Sequence, residues 1–403
     1  MSGPLAGVRV LELASHIFVP IGGGILTEWG AEVIKIEHPE TGDPFRGLVT
    51  ANMVMGSDGV NPNFQLANRG KQSVAIDLKK PQGRDLIYRL AAKCDVFLTS
   101  FRPQALRKSQ LTCADIRKHN PTIIYVSGTG FGPRGPDAER GGYDSAAYWS
   151  RVGFAEMLTP PGAAYPTMQR PAFGDVMGGL TVAGAIAAAM YRRAATGEPS
   201  EVDVSLMAVG MWQLQPDIVH AKRNGGSTFV YDRKKIWNPL SCTYRTRDGR
   251  FIGLTMLDAD RYWADFCEVV GRPDLIADPR FVNMEARKTN ARACVEEFDA
   301  VFASRDYSEW CQIMKKAKGV WSPFQTPFEL HSDPQVAANG YLADVEMVSG
   351  PPLTMVTSPA QFDGRSAVPT RAPEQGEHTE TVLQSLGLSW EEITALKDNG
   401  AVG

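Results

Sequence analysis

The first 130 residues alternate between short apolar strands and helical segments, and this alternation constrains the fold more than any other feature of the chain. Strands are predicted at 8–13, 32–37, 73–78, 96–99 and 122–127, and helices between them at 20–29, 81–93 and 112–119. Strands that alternate with helices form a parallel sheet, because each helix returns the chain to the end where the next strand starts. The sequence therefore predicts an α/β fold with a doubly wound parallel sheet.

Two long segments, 38–64 and 128–174, are rich in Gly, Pro and Asp, and they are predicted to be functional loops. After the second loop, an Ala-rich stretch at 176–196 predicts a long helix that ends at Gly197. A strand at 201–204 and a helix at 205–220 are expected to follow.

The character of the chain changes after this helix, and 403 residues are too many for one ordinary core. A Gly-, Arg- and Lys-rich crossing segment precedes a predicted hairpin at 242–247 and 251–256, with Asp248-Gly249 at its turn. Helices predicted near 260–270, 287–304 and 307–316 complete a smaller α+β unit. We predict three parts, a large domain at 1–222, a small domain with its linker at 223–330, and a return segment at 331–403 that rejoins the large domain.

Composition narrows the class of partner. A net charge of −3 with 43% hydrophobic and 22% charged residues is typical of a globular enzyme and predicts neither a nucleic-acid nor a membrane partner. The apolar run 180–191 is shorter than the roughly 20 residues that span a bilayer, and residues 1–7 show no signal peptide. The six cysteines are scattered without metal-ligand spacing, which predicts reduced thiols, a cytoplasmic location and no metal site.

Glycine-rich runs are weak candidates for a phosphate site. Gly22-Gly23-Gly24 lies inside the first predicted helix, not in the turn before it, so close helix packing is the better interpretation. The run at 128–132 is followed by Pro133, which prevents an immediate helix. No G-x-S-x-G nucleophile elbow is present. His16 follows the first strand, where α/β ligand sites lie, but such a histidine is more often an ordinary loop residue.

Asp175 stands at the start of the Ala-rich helix and has two interpretations. An aspartate there caps the free amides of the first helical turn. The same position suits a carboxylate nucleophile, because the helix dipole would keep the group ionised and the adjacent Gly174 would let a substrate approach the backbone. Composition and spacing alone favour the cap.

Nine short motifs, in order along nearly the whole chain, resemble those of the family III CoA-transferases. They are GPLAGVRVLEL at 3–13, GAEVIKIE at 30–37, NRGKQS at 68–73, FRP at 101–103, GFG at 130–132 with GYD at 142–144, GD at 174–175 with GG at 178–179, DPRF at 278–281, DPQ at 333–335 and GEHT at 376–379. The resemblance implies a Rossmann-like large domain built from both chain ends, a small domain between them, and two subunits interlocked as a homodimer. It also implies acyl-CoA and a carboxylic acid as substrates, with no permanently bound cofactor.

The resemblance makes Asp175 the nucleophile, which attacks a thioester to give an aspartyl–acyl anhydride and then an aspartyl–CoA thioester. Backbone amides near Gly178 and Gly179 are expected to stabilise the oxyanion. The positions that match substrate- and CoA-binding residues of the family are His16, Ile17, His38, Arg69, Lys71, Ser100, Arg102, Tyr143 and Asp144. A solvated turn is the alternative for Arg69 and Lys71.

Departures from the family pattern bear on specificity and on the reaction. His38 replaces an Arg that many relatives carry, Thr99-Ser100 replaces Glu-Asn, and Phe18-Val19-Pro20 replaces the usual end of the loop after the first strand. The racemase branch, which exchanges an α-proton, has His where this chain has Tyr143, and a phenol is a poor proton acceptor at neutral pH. We therefore expect a CoA-transferase, with a 2-methylacyl-CoA racemase and a non-catalytic acyl-CoA-binding protein as alternatives.

Overall fold

The computed structural model describes residues 3–47, 60–226 and 232–403. The chain divides into two compact units, Met1–Thr228 with Gln335–Gly403, and Phe229–Pro334. The first unit thus contains both ends of the chain. Its boundaries fall a few residues beyond the predicted ones at 222 and 330.

The strands and helices are numbered in chain order. The strands are β1 (Arg9–Leu13), β2 (Glu32–Glu37), β3 (Gln72–Ala75), β4 (Val96–Thr99), β5 (Ile124–Thr129), β6 (Glu201–Ser205), β7 (Thr243–Arg245), β8 (Phe251–Leu254), β9 (Trp321–Pro323), β10 (Leu342–Val345) and β11 (Leu353–Val356). The helices are α1 (Phe18–Glu28), α2 (Pro62–Asn68), α3 (Pro81–Ala91), α4 (Pro103–Ser109), α5 (Cys113–Arg117), α6 (Phe154–Met157), α7 (Phe173–Thr196), α8 (Leu206–Gln213), α9 (Gln215–Arg223), α10 (Ala259–Val269), α11 (Met284–Thr289), α12 (Ala291–Phe302), α13 (Tyr307–Met314), α14 (Pro334–Asn339), α15 (Thr379–Ser385) and α16 (Trp390–Asp398). A π-helical turn covers Ser145–Ser150, and short 3₁₀ helices cover Pro44–Arg46, Arg233–Lys235, Pro273–Leu275 and Glu329–Ser332.

A six-stranded sheet with the order β3-β2-β1-β4-β5-β6 forms the centre of the first unit. Every neighbouring pair in it is parallel, which confirms the predicted parallel sheet. This order is that of the Rossmann fold, and it reverses direction between β1 and β4. Two loops therefore diverge from the carboxyl ends of these strands and leave a crevice between them, where ligands of such sheets bind.

Helices cover both faces of the sheet. Val10 of β1 belongs to a core shared with α1, α7 and α8, whereas Leu11 and Leu13 belong to a second core with α3, α5, α15 and α16. Because strands of a covered parallel sheet are buried on both sides, even Glu12 of β1 is fully buried.

The glycine run in α1 serves close packing, as predicted. A Cβ on Gly22 would lie 2.8 Å from Val182 Cγ1 of α7, and one on Gly24 would lie 3.2 Å from the Ala67 carbonyl oxygen. Only glycine lets α1 approach α7 and the end of α2 this closely.

Among the described helices, α7 alone is long and apolar enough to cross a bilayer, with a mean hydropathy of 1.5. One face of α7, which includes Val182, Ala183 and Ile186, packs into the core beside α1. That packing accounts for the apolar residues on the buried face of α7.

The second unit contains the antiparallel sheet β7-β8-β9 with α10 to α13 around an aromatic core. The predicted hairpin is correct, since β7 and β8 pair across Asp248-Gly249, where Gly249 has a φ of +83°. β9 and α11 of this unit, and the β10–β11 pair of the first unit, were not predicted from the sequence. Strands of three or four residues and a helix of six residues carry too little periodic signal.

Two predicted elements differ in detail. The helix expected at 205–220 is two helices, α8 and α9, which meet at Leu214 just before Pro216. A proline cannot donate the hydrogen bond that a continuous helix would need there. The predicted loop 38–64 ends inside α2, and its residues 48–59 lie outside the described part of the chain.

Candidate active site

The loop after β1 lies at the point where the strand order reverses. The Ser15 amide donates a hydrogen bond to the Ser100 hydroxyl oxygen, 3.1 Å away, so the loops after β1 and β4 are joined across the crevice. His16 follows with a φ of +67°, a backbone conformation that non-glycine residues seldom adopt. Ile17 is buried at the start of α1, and no side chain caps that helix. The structure thus brings His16, Ile17 and Ser100, three of the predicted site residues, close together.

His16 contacts Tyr143 from the loop after β5. Their ring centroids lie 5.4 Å apart in an edge-to-face arrangement, and the Tyr143 hydroxyl is 3.5 Å from Nε2 of His16. Nδ1 of His16 is 3.1 Å from the Ser15 hydroxyl. Tyr143 is 64% exposed. The pair therefore presents a polar edge to solvent at the mouth of the crevice.

Helix α7 begins earlier than predicted, at Phe173, and this removes the capping interpretation of Asp175. The N-cap residue is Ala172, whose φ is +62° and which provides no side-chain cap. Asp175 is the third helical residue. Gly174 is required by packing, because a Cβ there would lie 2.5 Å from the ring of Tyr148.

Asp144 lies near the start of α7 but caps the π-helical turn at Ser145–Ser150. Its carboxylate accepts a hydrogen bond from the Ser145 amide at 2.7 Å. Asp144 is only 7% exposed, and its Oδ2 is buried without a further partner. Burial raises the pKa of Asp144, although the donated hydrogen bonds oppose this shift.

Asp175 is a carboxylate without a cation. Burial raises its pKa well above the usual range, and the negative charge of Asp144 raises it further. None of the described side chains donates a hydrogen bond that offsets this effect. The helix dipole was expected to keep the Asp175 carboxylate ionised. Burial and the second carboxylate instead have the larger effect on its pKa.

Gly178 and Gly179 lie inside α7, where their amides belong to the helical ladder. A Cβ on Gly178 would lie 2.3 Å from the Phe18 ring, and one on Gly179 would lie 2.4 Å from Cγ2 of Ile21. The expectation that their amides stabilise an oxyanion is therefore not met. These glycines let α7 pack closely against α1.

Lys71 and Arg69 are neither solvated nor open to a phosphate. The Lys71 ammonium is fully buried, 2.7 Å from Glu12 Oε2 and 2.8 Å from the Pro20 carbonyl oxygen. Burial lowers its pKa to about 8, against the attraction of Glu12. Arg69 is 3.0 Å from Glu28 and donates to the carbonyl oxygen of Val356. Both predicted CoA contacts are corrected to structural ion pairs, because all their donors point into the protein.

His38 and Arg102 keep accessible polar groups. His38 is half-buried after β2, and its Nδ1 accepts from the Glu40 amide at 3.2 Å. Arg102 is exposed at the start of α4, and its Nη1 donates to the carbonyl oxygen of Glu139 at 3.2 Å. Unlike Lys71 and Arg69, these side chains can still reach an anionic ligand.

Asp43 is a residue of this region that the sequence analysis did not single out. Its Oδ1 accepts the His16 amide at 3.2 Å, although the two residues belong to different loops. The available signal was an aspartate after Gly42 in a predicted functional loop, and that pattern is too common to identify it.

A cavity of about 720 Å³ lies between α7, α8 and the loop after β5. It is lined by Met177 and Thr181 of α7 and by Trp212 of α8. Met177 is two residues from Asp175 and so projects from nearly the opposite side of the helix. The cavity is thus separate from the carboxylate. No group of three side chains suited to a metal ion occurs in the described part of the chain.

Comparison with known proteins identifies the family. Residues 5–379 match the model of CoA-transferase family III. This chain belongs to that family. It is an enzyme that transfers CoA between carboxylic acids, as the resemblance implied.

Similar proteins span the full length of this transferase. It is 32% identical to the (R)-2-hydroxy-4-methylpentanoate CoA-transferase of Clostridioides difficile, and the match covers 99% of both chains. It is 30% identical to the cinnamoyl-CoA:phenyllactate CoA-transferase of Clostridium sporogenes, over 97% of this chain and 95% of the other. The crystal structure of a CAIB/BAIF family protein from Brucella suis superposes with a TM-score of 0.82, at 28% identity over 96% of this chain and 100% of that one.

Proposed function

We propose that this transferase moves CoA through covalent intermediates on Asp175. The observation that carries the proposal is the unpaired Asp175 carboxylate on the first turn of α7. A carboxylate with a raised pKa is a better nucleophile when it is ionised, because it is more basic. The N-cap residue of α7 is Ala172 and Asp175 is the third helical residue, so the Asp175 carboxylate does not stand at the cap position.

Four steps move the acyl groups and CoA. Asp175 attacks the thioester carbonyl of the donor and expels CoA thiolate, which leaves an acyl–aspartyl anhydride. The thiolate attacks the aspartyl carbonyl, releases the donor carboxylate and forms an aspartyl–CoA thioester. The acceptor carboxylate attacks that thioester and expels CoA thiolate again. The thiolate then attacks the acceptor's acyl carbonyl, which yields the new acyl-CoA and restores Asp175.

We infer that the acids include 2-hydroxycarboxylic acids with an apolar side chain. Both clostridial relatives are named for such acids, 2-hydroxy-4-methylpentanoate and phenyllactate. In this chain the exposed hydroxyl of Tyr143 and the imidazole of His16 are polar groups suited to bind an α-hydroxyl. Exposed Arg102 and His38 are the remaining candidates for CoA phosphates. We further propose an interlocked homodimer in the cytoplasm, where the buried cysteines Cys94, Cys113, Cys267 and Cys294 would stay reduced.

Trapping of the covalent intermediate tests the mechanism. The enzyme is incubated with cinnamoyl-CoA and (R)-phenyllactate, treated with hydroxylamine or borohydride, digested, and analysed by mass spectrometry. A modified Asp175 is the expected result. Asp175→Asn should keep the fold and the affinity for CoA but lower kcat by about 10³-fold or more, since the nucleophile is lost.

Asp217→Asn is the matched control, because Asp217 is also the third residue of a helix, α9. It should turn over at the wild-type rate. Normal turnover of Asp175→Asn, or product formation with an unmodified Asp175, would refute the covalent mechanism. Exchange of the α-proton of a 2-methylacyl-CoA with deuterated water, without CoA transfer, would favour the racemase alternative. Binding of CoA with neither reaction would indicate the non-catalytic class.

A further inference from the structure

We propose that Asp43 is a positioning residue, which holds the main chain of His16 in its left-handed conformation and is itself fixed by the buried ammonium of Lys35. The consequence for catalysis rests on the proposed function, because the His16 loop borders the crevice beside α7. The placement of the loop by Asp43 is a separate claim that can be tested without turnover.

The conformation of His16 needs support from outside its own loop. A φ of +67° is unfavourable for a residue with a Cβ, and such conformations persist only where the surroundings hold them. Asp43 Oδ1 accepts the His16 amide at 3.2 Å and the Phe45 amide at 2.9 Å. One carboxylate oxygen thus joins the loop after β1 to the segment after β2.

The second oxygen of Asp43 is held by Lys35. Lys35 Nζ lies 2.8 Å from Asp43 Oδ2 and donates to the Ala14 carbonyl oxygen at 2.7 Å. Both side chains are almost fully buried. Lys35 therefore contacts the residue before Ser15 and the carboxylate that receives His16, so it fixes the loop at two points.

The charged side chains beneath the loop after β1 form a network of ion pairs, called here the structural set. Three cations, Lys35, Lys71 and Arg46, pair with three carboxylates, Glu12, Asp43 and Glu37. Burial alone would raise the pKa of Asp43, but Lys35 and the donated backbone hydrogen bonds outweigh it and lower the pKa. Asp43 is therefore ionised at neutral pH, where it keeps its contact with Lys35.

These ion pairs hold the main chain rigidly at the point where the strand order of the sheet reverses. Glu12 and Lys35 belong to β1 and β2, which are regular strands. Lys35 contacts the loop at the Ala14 carbonyl oxygen, and the link from Asp43 is the contact of this set that holds the His16 amide. Removal of that link leaves the strands in place and releases the His16 amide. His16, and through it Tyr143, would then lose a fixed orientation toward a bound acyl group.

Two double variants isolate the hydrogen bond between the side chain at position 43 and the His16 amide. They carry the same net charge and differ only in whether position 43 offers an acceptor oxygen. Lys35→Met with Asp43→Asn removes both charges and keeps an oxygen for the His16 amide. Lys35→Met with Asp43→Leu removes the oxygen as well. Hydrogen–deuterium exchange of a peptide that spans Ser15 to Phe18 reports the hydrogen bond directly, and kcat and KM for cinnamoyl-CoA report its effect on transfer.

The Asn variant is expected to keep the His16 amide protected and to keep most of its turnover. The Leu variant is expected to lose protection and about tenfold in kcat, the equivalent of one hydrogen bond, with little change in KM. If the Leu variant does not fold, Asp43→Glu serves in its place, since it keeps the charge but displaces the acceptor by one methylene.

Equal exchange and equal kcat in the two variants would overturn the proposal. Faster exchange with an unchanged kcat would overturn its catalytic part. If the wild-type enzyme shows no trapped Asp175, the covalent mechanism fails, yet the exchange experiment still decides whether Asp43 holds the loop.

Discussion

The two carboxylates at the start of α7 and the three beneath the loop after β1 are all buried or partly buried, yet their surroundings differ completely. Asp144 and Asp175 have no cation, and burial raises the pKa of both. Burial acts on Asp43 and Glu37 in the same direction, but Lys35 and Arg46 reverse the shift and lower the pKa.

The difference separates reactive carboxylates from structural ones. A buried carboxylate paired with a cation is held in the ionised form and is poor at attack, because its charge is already neutralised. A carboxylate placed beside a like charge is destabilised until it reacts. By this criterion Asp175 is the candidate nucleophile, and Glu12 and Glu37 are supports of the fold.

The sharpest way to break the structural set is to remove one of its cations. Lys71→Met leaves Glu12 fully buried with only the longer 3.4 Å contact to Lys35. We expect this variant to lose about 3–5 kcal/mol in the free energy of unfolding, the usual cost of an uncompensated buried charge. Chemical denaturation measures it.

Arg107→Met is the control for this variant. Arg107 forms an equally short ion pair with Glu139, but both side chains are exposed, at 61% and 42%. Its loss should cost no more than about 1 kcal/mol. Similar values for the two variants would show that the buried set does not support the fold.

The same contrast explains what the sequence could and could not predict. The parallel sheet followed from local alternation, and the close approach of α1 and α7 from the glycines at 22–24. Arg69 and Lys71 were wrongly predicted to meet CoA phosphates, because their burial depends on Glu28 and Glu12, which lie far away in the sequence. Motif resemblance locates a residue in the fold but does not say which way its side chain points.

The start of α7 was misplaced because no side chain caps this helix. Its N-cap residue is Ala172, whose left-handed backbone, with a φ of +62°, starts the helix. Capping rules look for a polar side chain or a glycine at that position, so they favoured Asp175 instead. Asp144 was identified only through its resemblance to the family motif at 142–144.

A smaller effect is expected at Glu28, the buried partner of Arg69. Burial raises its pKa from 4.5 to about 7, against the attraction of Arg69. The folded protein therefore binds a proton between pH 4.5 and 7 that the unfolded chain has released, so stability falls as the pH rises through this window. Glu28→Gln should remove that slope, which is on the order of 3 kcal/mol across the window.

Thermal unfolding at a series of pH values measures the slope for wild type and for Glu28→Gln. Glu32→Gln is the control, since Glu32 also pairs with an arginine, Arg9, but its side chain is 40% exposed. The control should unfold with the wild-type pH dependence. An unchanged slope in Glu28→Gln would mean that Glu28 is already ionised throughout the window.

The smallest and most specific effect is expected from Asp144→Asn, which tests the two carboxylates that have no cation. Asp175 must be ionised to attack, and its pKa is raised by burial and then by the charge of Asp144. Asn keeps an oxygen for the Ser145 amide but removes the charge, so the acid limb of the kcat/KM profile should move to lower pH. Asp137→Asn, which removes a partly exposed charge from the same loop, should leave the limb in place. An unmoved limb in Asp144→Asn would show that the two carboxylates do not interact, and the contrast between paired and unpaired carboxylates would then rest on burial alone.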